Sequence, residues 1–240
     1  MVVELFVVQF KTVWLSSLLF LKLTLQKIIS MQPKKNNIKL YLPAGLLILF
    51  ILLAVFIYHH PSLQLDVNIS KLIQSHTSPA LDAIMLALSW FGNMPYSGIT
   101  AITASLLFYL FRYKKEALFV ILTMLSGAVS SAVKAIVNRP RPQHTFIRVI
   151  VKNMQQSFPS GHVMYYVILF GFIAFLMCRL IKIPRLLRGI IFYACMALVL
   201  TISISRIYLG AHWFTDVVGA YLLGSVCLFI LCGLYLRRLP

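Results

Sequence analysis

The chain alternates between long apolar runs and short polar connections that carry most of its Lys and Arg residues. A helix that crosses about 30 Å of hydrocarbon needs about 20 residues. Runs without any charged residue that approach this length occupy residues 40–58, 94–111, 117–133, 163–178, 189–205 and 217–236. The pattern therefore predicts an all-α polytopic membrane protein, with six transmembrane helices in a bundle.

One apolar stretch, residues 83–111, is too long for a single straight span. Gly92, Asn93 and Pro95 interrupt it, and such residues are typical of a break between helices. The sequence therefore predicts a short helix over residues 79–91, near the membrane interface, followed by the span over residues 94–111.

Composition excludes an ordinary soluble domain, whose surface would need roughly 25% charged residues. Of the 240 residues, 60% are hydrophobic and 11% are charged, and 22 Lys and Arg against 5 acids give a formal charge of +17. The cations lie between apolar runs rather than along a basic stripe of a soluble fold. This arrangement indicates a bilayer as partner and not a nucleic acid.

Lys and Arg also predict the orientation, because cytoplasmic loops hold the excess of these residues. One side of the predicted spans carries Lys34, Lys35, Lys39, Arg112, Lys114, Lys115, Arg179, Lys182, Arg185, Arg188, Arg237 and Arg238. The other side carries Lys71, Lys134, Arg139, Arg141, Arg148, Lys152 and Arg206. We expect a multi-pass protein of the cell membrane with the first side in the cytoplasm, and with six spans this side also holds both termini.

Two regions divide the chain: residues 1–39, an N-terminal extension and cytoplasmic segment, and residues 40–240, the six-span domain. Lys11, Lys22 and Lys27 interrupt the apolar pattern of the first region. Met31, which is followed by Gln-Pro-Lys-Lys, resembles the natural first residue of a six-span protein. The first thirty residues are therefore interpreted as an upstream extension, with an interfacial helix or a seventh span as the alternatives.

Three polar segments fall at the non-cytoplasmic ends of the predicted spans, at residues 134–142, 158–162 and 205–216. They bring Lys134, Arg141 and Arg206 to one membrane depth. A cation costs about 2.5–3.5 kcal/mol at the bilayer centre, so the cluster needs a counter-anion, and Asp216 alone cannot balance it. A phosphate can, because guanidinium groups bind its oxygens bidentately and lysine acts as a point charge.

The turn over residues 158–162 opens a span, and the free N–H groups and dipole of a helix start also suit an anion. His212 and Asp216 stand four residues apart, so the carboxylate can hold one ring nitrogen and leave the other as a nucleophilic lone pair. His162 can then donate a proton to a leaving oxygen. Together these groups indicate phosphoryl transfer through a phosphohistidine, and this arrangement requires no metal or other cofactor.

The patterns K-x6-R-P from Lys134, P-S-G-H ending at His162 and S-R-x5-H-x3-D ending at Asp216 resemble those of the type 2 phosphatidic acid phosphatase (PAP2) family of membrane lipid phosphatases. The resemblance covers about residues 40–236. It implies that His212 is the nucleophile, Asp216 its orienting partner and His162 the acid. The same resemblance implies that this active site lies at the outer, non-cytoplasmic interface of the membrane. It also implies phosphate binding by Lys134, Arg141, Ser160, Gly161 and Arg206.

The resemblance further implies hydrolysis of the terminal phosphate of a membrane lipid phosphate or diphosphate. Undecaprenyl diphosphate, phosphatidylglycerol phosphate and phosphatidic acid are the candidates, and the sequence does not choose among them or predict an oligomeric state. The alternative is a membrane protein that binds or transports phosphate without cleaving a bond, which would need the cations but neither histidine. Vanadate-dependent haloperoxidases have similar motifs, but six spans without a large soluble scaffold argue against that chemistry.

Other polar residues near the motifs receive a structural interpretation. Arg139, Arg148 and Lys152 are interpreted as a solvated surface, in preference to a site for an anionic headgroup. Tyr165 and Tyr166, one turn into the fourth span, are interpreted as packing or aromatic-belt residues and not as the lining of a lipid groove.

Overall fold

The computed structural model describes residues 38–152 and 155–237, and all the regular structure in that part of the chain is helical. The all-α prediction is thereby confirmed. The helices are α1 (Ile38–His59), α2 (Gln64–Ile73), α3 (Pro79–Ser89), α4 (Tyr96–Leu110), α5 (Lys114–Leu122), α6 (Leu125–Val137), α7 (Gly161–Arg179), α8 (Arg185–Tyr208) and α9 (Phe214–Leu236), with a 3-10 turn at Trp90–Gly92. The expectations for residues 1–37 lie outside the described residues.

Five of the six predicted spans correspond to segments long and apolar enough to cross a bilayer. These are Tyr41–His59, Lys114–Val137, Gly161–Arg179, Arg185–Tyr208 and Phe214–Leu236, the second of which joins α5 to α6. The remaining predicted span, residues 94–111, contains α4, whose 15 residues extend about 22 Å at 1.5 Å per residue. That length falls short of the about 30 Å of a hydrocarbon core, so the six-span count is not confirmed.

Helix α7 forms the centre of the bundle, and most of its side chains are buried. It packs against α8 and α9, and α9 packs in turn against α1. The approach of α7 to α9 is close at Gly171, where an added Cβ would lie 2.8 Å from Leu228 Cδ2. A helix that is apolar all round is expected in such a central position, and small residues let membrane helices approach closely.

Tyrosine hydroxyls attach α7 to its neighbours. Tyr165 donates to Ser97 O at 2.6 Å and Tyr166 to Leu88 O at 2.5 Å. Both side chains are buried, so they pack between helices as predicted.

The polar ends of the helices meet at one end of the bundle. Helix α6 ends there, α7 and α9 begin there, and α8 arrives with its last turn. At the opposite end, Lys115 Nζ donates to Arg237 O at 3.3 Å. The three motif segments therefore share one end, and the basic residues at the start of α5 and just after α9 share the other.

Helix α2 was not predicted from the sequence. It packs against α8 and α9 and buries two polar side chains, Asp66 and Ser70. A buried carboxylate requires partners, and those partners lie in the region where the motif segments meet.

Candidate active site

His212 lies in the loop between α8 and α9, and it is 1% exposed. Gly210 makes this loop tight because its φ of +64° is in the left-handed region and an added Cβ would lie 2.2 Å from Arg148 O. The turn is closed by His212 N, which donates to Arg206 O at 3.2 Å. The loop therefore fixes the imidazole against the end of α8.

The two ring nitrogens of His212 face different groups. Nε2 lies 3.4 Å from Arg141 Nη1, and Nδ1 lies 3.5 Å from Asp216 Oδ2. The second distance exceeds the 2.7–3.2 Å of a hydrogen bond, and within the described part of the chain buried Nδ1 has no hydrogen-bond partner. Catalytic hydrogen bonds are often long before substrate binds and tighten in the complex.

Asp216 is buried and also serves as a cap of α9. Its Oδ2 accepts from Trp213 N at 2.8 Å and from the Ser157 hydroxyl. These donors hold the carboxylate one turn from His212, as the spacing predicts.

Burial is the main cause that holds the pKa of His212 well below its usual value of 6.5, and the charges of Arg141, Lys134 and Arg206 act in the same direction. Both effects disfavour an imidazolium. A neutral imidazole has a free lone pair, the form that a nucleophile requires.

Backbone carbonyls orient the cations. Arg141 donates from Nε to Gln155 O at 2.6 Å and from Nη1 to Ala211 O at 2.7 Å, and Lys134 Nζ donates to Gln156 O at 2.5 Å. Burial lowers the pKa of Arg141, an effect that Asp216 opposes. Carbonyls orient a cation without neutralising it, so the cluster keeps its excess of positive charge.

Two of the predicted phosphate-binding residues have buried polar atoms without a hydrogen-bond partner among the described residues, Arg206 Nε and Ser160 Oγ. Arg206 uses Nη1 to donate to Ser89 Oγ at 3.1 Å. Ser160 stands at the start of α7, next to Gly161. Buried polar atoms are normally paired, and an anion in the cluster would accept from these donors.

His162 lies in the first turn of α7. Its Nε2 is 2.8 Å from Asn93 Oδ1, and the charges of Arg206, Arg141 and Lys134 act on its ring, with His212 as a further neighbour. The structure thus brings His162 together with His212 and the three cations. Asn93 was interpreted from the sequence only as part of a helix break.

The interpretation of Arg139 as a solvated residue is wrong. Its side chain is 0% exposed and forms ion pairs with Asp66 at 2.6 Å and with Asp216 at 2.5 Å. It also donates to Thr215 Oγ1 at 2.8 Å, and Asp66 Oδ1 accepts from Thr215 N at 2.9 Å. We call Asp66, Arg139, Thr215 and Asp216 the Arg139 network.

The sequence contained a signal for this network that was missed. The chain has only 5 acidic residues, and a buried arginine needs a carboxylate, which makes Asp66 a candidate partner. Arg148 differs, since its side chain is 44% exposed and it pairs with Asp82 at 2.6 Å, which holds the pKa of that carboxyl below 3.8. Lys152 is exposed, as predicted.

Within residues 38–152 and 155–237, no three His, Cys, Asp or Glu side chains come together as metal ligands would. The groups that do come together are two imidazoles, a carboxylate behind one of them and a cluster of cations. They can perform an in-line displacement at phosphorus, with a nucleophile, a proton donor and compensation for the developing charge.

A profile of the PAP2 superfamily matches residues 115–239, a range that includes all three motif segments. Phosphatidylglycerophosphatase B of Bacillus subtilis is 26% identical over 197 residues, which cover 81% of this chain and 95% of that protein. An undecaprenyl-diphosphatase of Sulfolobus acidocaldarius is 26% identical over 194 residues, or 77% of this chain and 87% of that protein.

Solved structures share the fold. A transmembrane PAP2 type phosphatidylglycerolphosphate phosphatase from Bacillus subtilis superposes with a TM-score of 0.73 at 23% identity, covering 83% of this chain and 100% of its own. Aquifex aeolicus LpxE superposes with a TM-score of 0.54 at 23% identity, covering 71% of this chain and 96% of its own. The helical bundle is therefore one that membrane phosphatases of this type possess.

The surroundings of His212 predict its titration. Since its pKa is held well below 6.5, the ring should stay neutral as the pH falls through 6.5, where an unperturbed histidine gains half a proton. Adding inorganic phosphate should move the midpoint upward, because the anion offsets the cations. NMR of histidine-labelled protein, with the His212 signal assigned from the spectrum of His212→Asn, measures this, and a midpoint at or above 6.5 without phosphate would contradict it.

Loss of Arg139 should be costly, because it leaves two buried carboxylates without their shared cation. We expect Arg139→Met to lower the free energy of unfolding by about 3–5 kcal/mol, measured by unfolding in detergent micelles. Arg148→Met removes a partly exposed pair and should cost much less, because solvent screens exposed ion pairs. Equal destabilisation by the two substitutions would show that the Arg139 network does not stabilise the fold.

Proposed function

The chain belongs to the PAP2 superfamily, and on this premise we propose that it hydrolyses a membrane lipid phosphate through a phosphohistidine on His212. It is an integral-membrane phosphatase, a phosphoric ester hydrolase of a metal-independent class. The observation that carries the mechanism is the pair of nitrogens on His212. Nε2 lies beside Arg141, while Nδ1 faces Asp216.

Substrate binding places the terminal phosphate among Lys134, Arg141 and Arg206. Ser160 and the N–H groups at the start of α7, from Gly161 onward, supply further donors. A dianionic phosphate supplies the negative charge that the cluster lacks, and it accepts from Arg206 Nε and Ser160 Oγ, which have no hydrogen-bond partner among the described residues. Charge-assisted bonds to such an anion are about twice as strong as neutral ones.

The first chemical step breaks the bond between phosphorus and the lipid oxygen. Neutral His212 attacks phosphorus with the Nε2 lone pair. Its Nδ1–H donates a hydrogen bond to Asp216, which stabilises the positive charge that forms on the ring. His162 gives its proton to the leaving oxygen. The products are the dephosphorylated lipid and phosphohistidine.

The second step uses water. Water attacks the phosphorus of phosphohistidine, His162 accepts a proton from it, and the nitrogen to phosphorus bond breaks. Inorganic phosphate leaves and neutral His212 is restored, so the cycle consumes one water and needs no oxidant or reductant.

The substrate class follows from the membrane setting of the site. The relatives are named for phosphatidylglycerophosphate and for undecaprenyl diphosphate, and these two lipids and phosphatidic acid all present a terminal phosphate at a bilayer surface. We propose one of them as the substrate, bound on the non-cytoplasmic face. Basic residues lie at the start of α5 and just after α9, at the end of the bundle opposite the site, and they support that orientation because cytoplasmic loops are rich in Lys and Arg.

Phosphate release tests the proposal. Detergent-purified protein should release phosphate from at least one of the three lipids with EDTA present, and His212→Ala should lower the rate at least about a thousandfold because the nucleophile is lost. His144→Ala, an exposed histidine on the same face, is the matched control and should stay within about twofold. Undiminished turnover in His212→Ala rejects the mechanism, whereas phosphate binding without turnover in the unaltered protein supports the binding or transport alternative.

A further inference from the structure

We propose that the turn between α3 and α4, residues 90–96, is the leaving-group side of the site, and that Asn93 is the residue that positions His162. The inference rests on the proposed function, since it assigns the lipid its place beside the same phosphate. Asn93 would act through His162, and the exposed side chains of the turn would contact the lipid itself.

The turn is built against the imidazole of His162. The Nε2 to Oδ1 distance is 2.8 Å, and a Cβ added to Gly92 would lie 2.4 Å from His162 Cδ2. The backbone at Gly92 therefore covers one edge of the ring, with no space for a side chain. An amide oxygen only accepts, so this contact keeps a proton on Nε2 and fixes the orientation of His162. The proton that His162 gives to the leaving oxygen is then the one that Nδ1 carries in the imidazolium, and Nδ1 takes a proton back from water in the second step.

The other neighbours that act on His162 do not supply this contact. They are Arg206, Arg141 and Lys134, whose side chains only donate, and His212, whose ring nitrogens face Arg141 and Asp216. Asn93 gives His162 a neutral acceptor, as Asp216 gives His212 a charged one. Each imidazole thus has its own partner, suited to its role as acid or as nucleophile.

Reaction geometry places the lipid at this turn. In phosphoryl transfer the entering and leaving atoms lie roughly in line with phosphorus between them. With His212 on the entering side, the oxygen that receives the proton lies on the side of His162. The carbon or phosphorus that bears that oxygen, and the lipid beyond it, must then pass the turn that covers His162.

The surface of the turn suits an apolar chain. Met94 is 81% exposed, Trp90 47% and Tyr96 38%, and the Trp90 and Tyr96 rings lie 4.4 Å apart between centroids. Aromatic pairs of this kind are typical of the membrane interface, where lipid headgroup and chain meet. The turn therefore offers apolar contact directly next to the proton donor.

The first experiment compares leaving groups. Phosphatidic acid expels an alkoxide that needs a proton, whereas p-nitrophenyl phosphate expels a phenolate that does not. General acid catalysis is worth about 10²–10⁴-fold. We expect Asn93→Leu to lower kcat about 10–100-fold on phosphatidic acid and less than about threefold on p-nitrophenyl phosphate. His162→Ala should show the same selectivity more strongly. Asn93→Asp keeps an acceptor oxygen of the same size but adds a charge, so it should be slowed less than Asn93→Leu.

Equal slowing on both substrates, or no slowing on either, would overturn the positioning role. Thermal unfolding accompanies the assay, and Asn93→Ala gives the same comparison if the leucine variant is unstable. If the unaltered protein releases no phosphate from any lipid, the proposed function fails. If it is active and Asn93→Leu slows both substrates alike, only this inference fails.

The second experiment tests the lipid contact. Trp90→Ala should raise KM at least about fivefold for long-chain phosphatidic acid, because buried aromatic contact is lost, and leave KM for p-nitrophenyl phosphate unchanged. Phe111→Ala, an exposed aromatic just beyond the far end of α4, is the matched control and should change neither. An unchanged KM for the long-chain lipid in Trp90→Ala would overturn the assignment of this surface.

Discussion

The shortage of carboxylates around a buried cluster of cations is the constraint on which the site depends. Arg139 forms ion pairs with both buried aspartates nearby, Asp66 and Asp216, so these carboxylates do not balance the cluster. Among the described residues, Lys134, Arg141 and Arg206 are held instead by carbonyls and a hydroxyl, which orient them and leave their charge in place. A multiply charged anion is the ligand that balances such a cluster, and the same uncompensated charge helps to keep His212 neutral.

The fold creates this cluster by bringing the ends of four helices together at one end of the bundle. The last turns of α6 and α8 supply Lys134 and Arg206, while the first turns of α7 and α9 supply His162 and Asp216. Because α7 is buried along most of its length, His162 is held at the end of the central helix, and His212 is held beside it in a buried loop. The Arg139 network then ties the start of α9 to α2, so the carboxylate behind His212 is fixed from both sides.

Much of the fold and of the site was predictable from the sequence. Apolar runs of transmembrane length indicate helices, because a helix satisfies its own backbone hydrogen bonds within a bilayer. Five of the six predicted spans lie in segments able to cross a bilayer. The sixth was overestimated because Pro95 delays the start of α4 and leaves it 15 residues long. The motif residues were found because their types and spacing determine their chemistry.

The residues that were missed act through contacts between distant segments. Asp66 lies 73 positions before Arg139 in a short helix outside the long apolar runs, and Asn93 lies 69 positions before His162 in a stretch that signals only a break. No local periodicity reports such pairs. A count of buried cations against available carboxylates would have found the first pair, and no feature of the sequence would have found the second.

A covalent phosphoenzyme gives the most direct test of the account. Phosphohistidine survives alkali, so rapid mixing with radiolabelled lipid phosphate, an alkaline quench and mass spectrometry of the peptides should locate phosphorus on His212, at up to one equivalent, and in His162→Ala the label should persist longer because water is no longer activated. Label on another residue, or turnover at full rate with no phosphoenzyme at any time point, would contradict attack by His212.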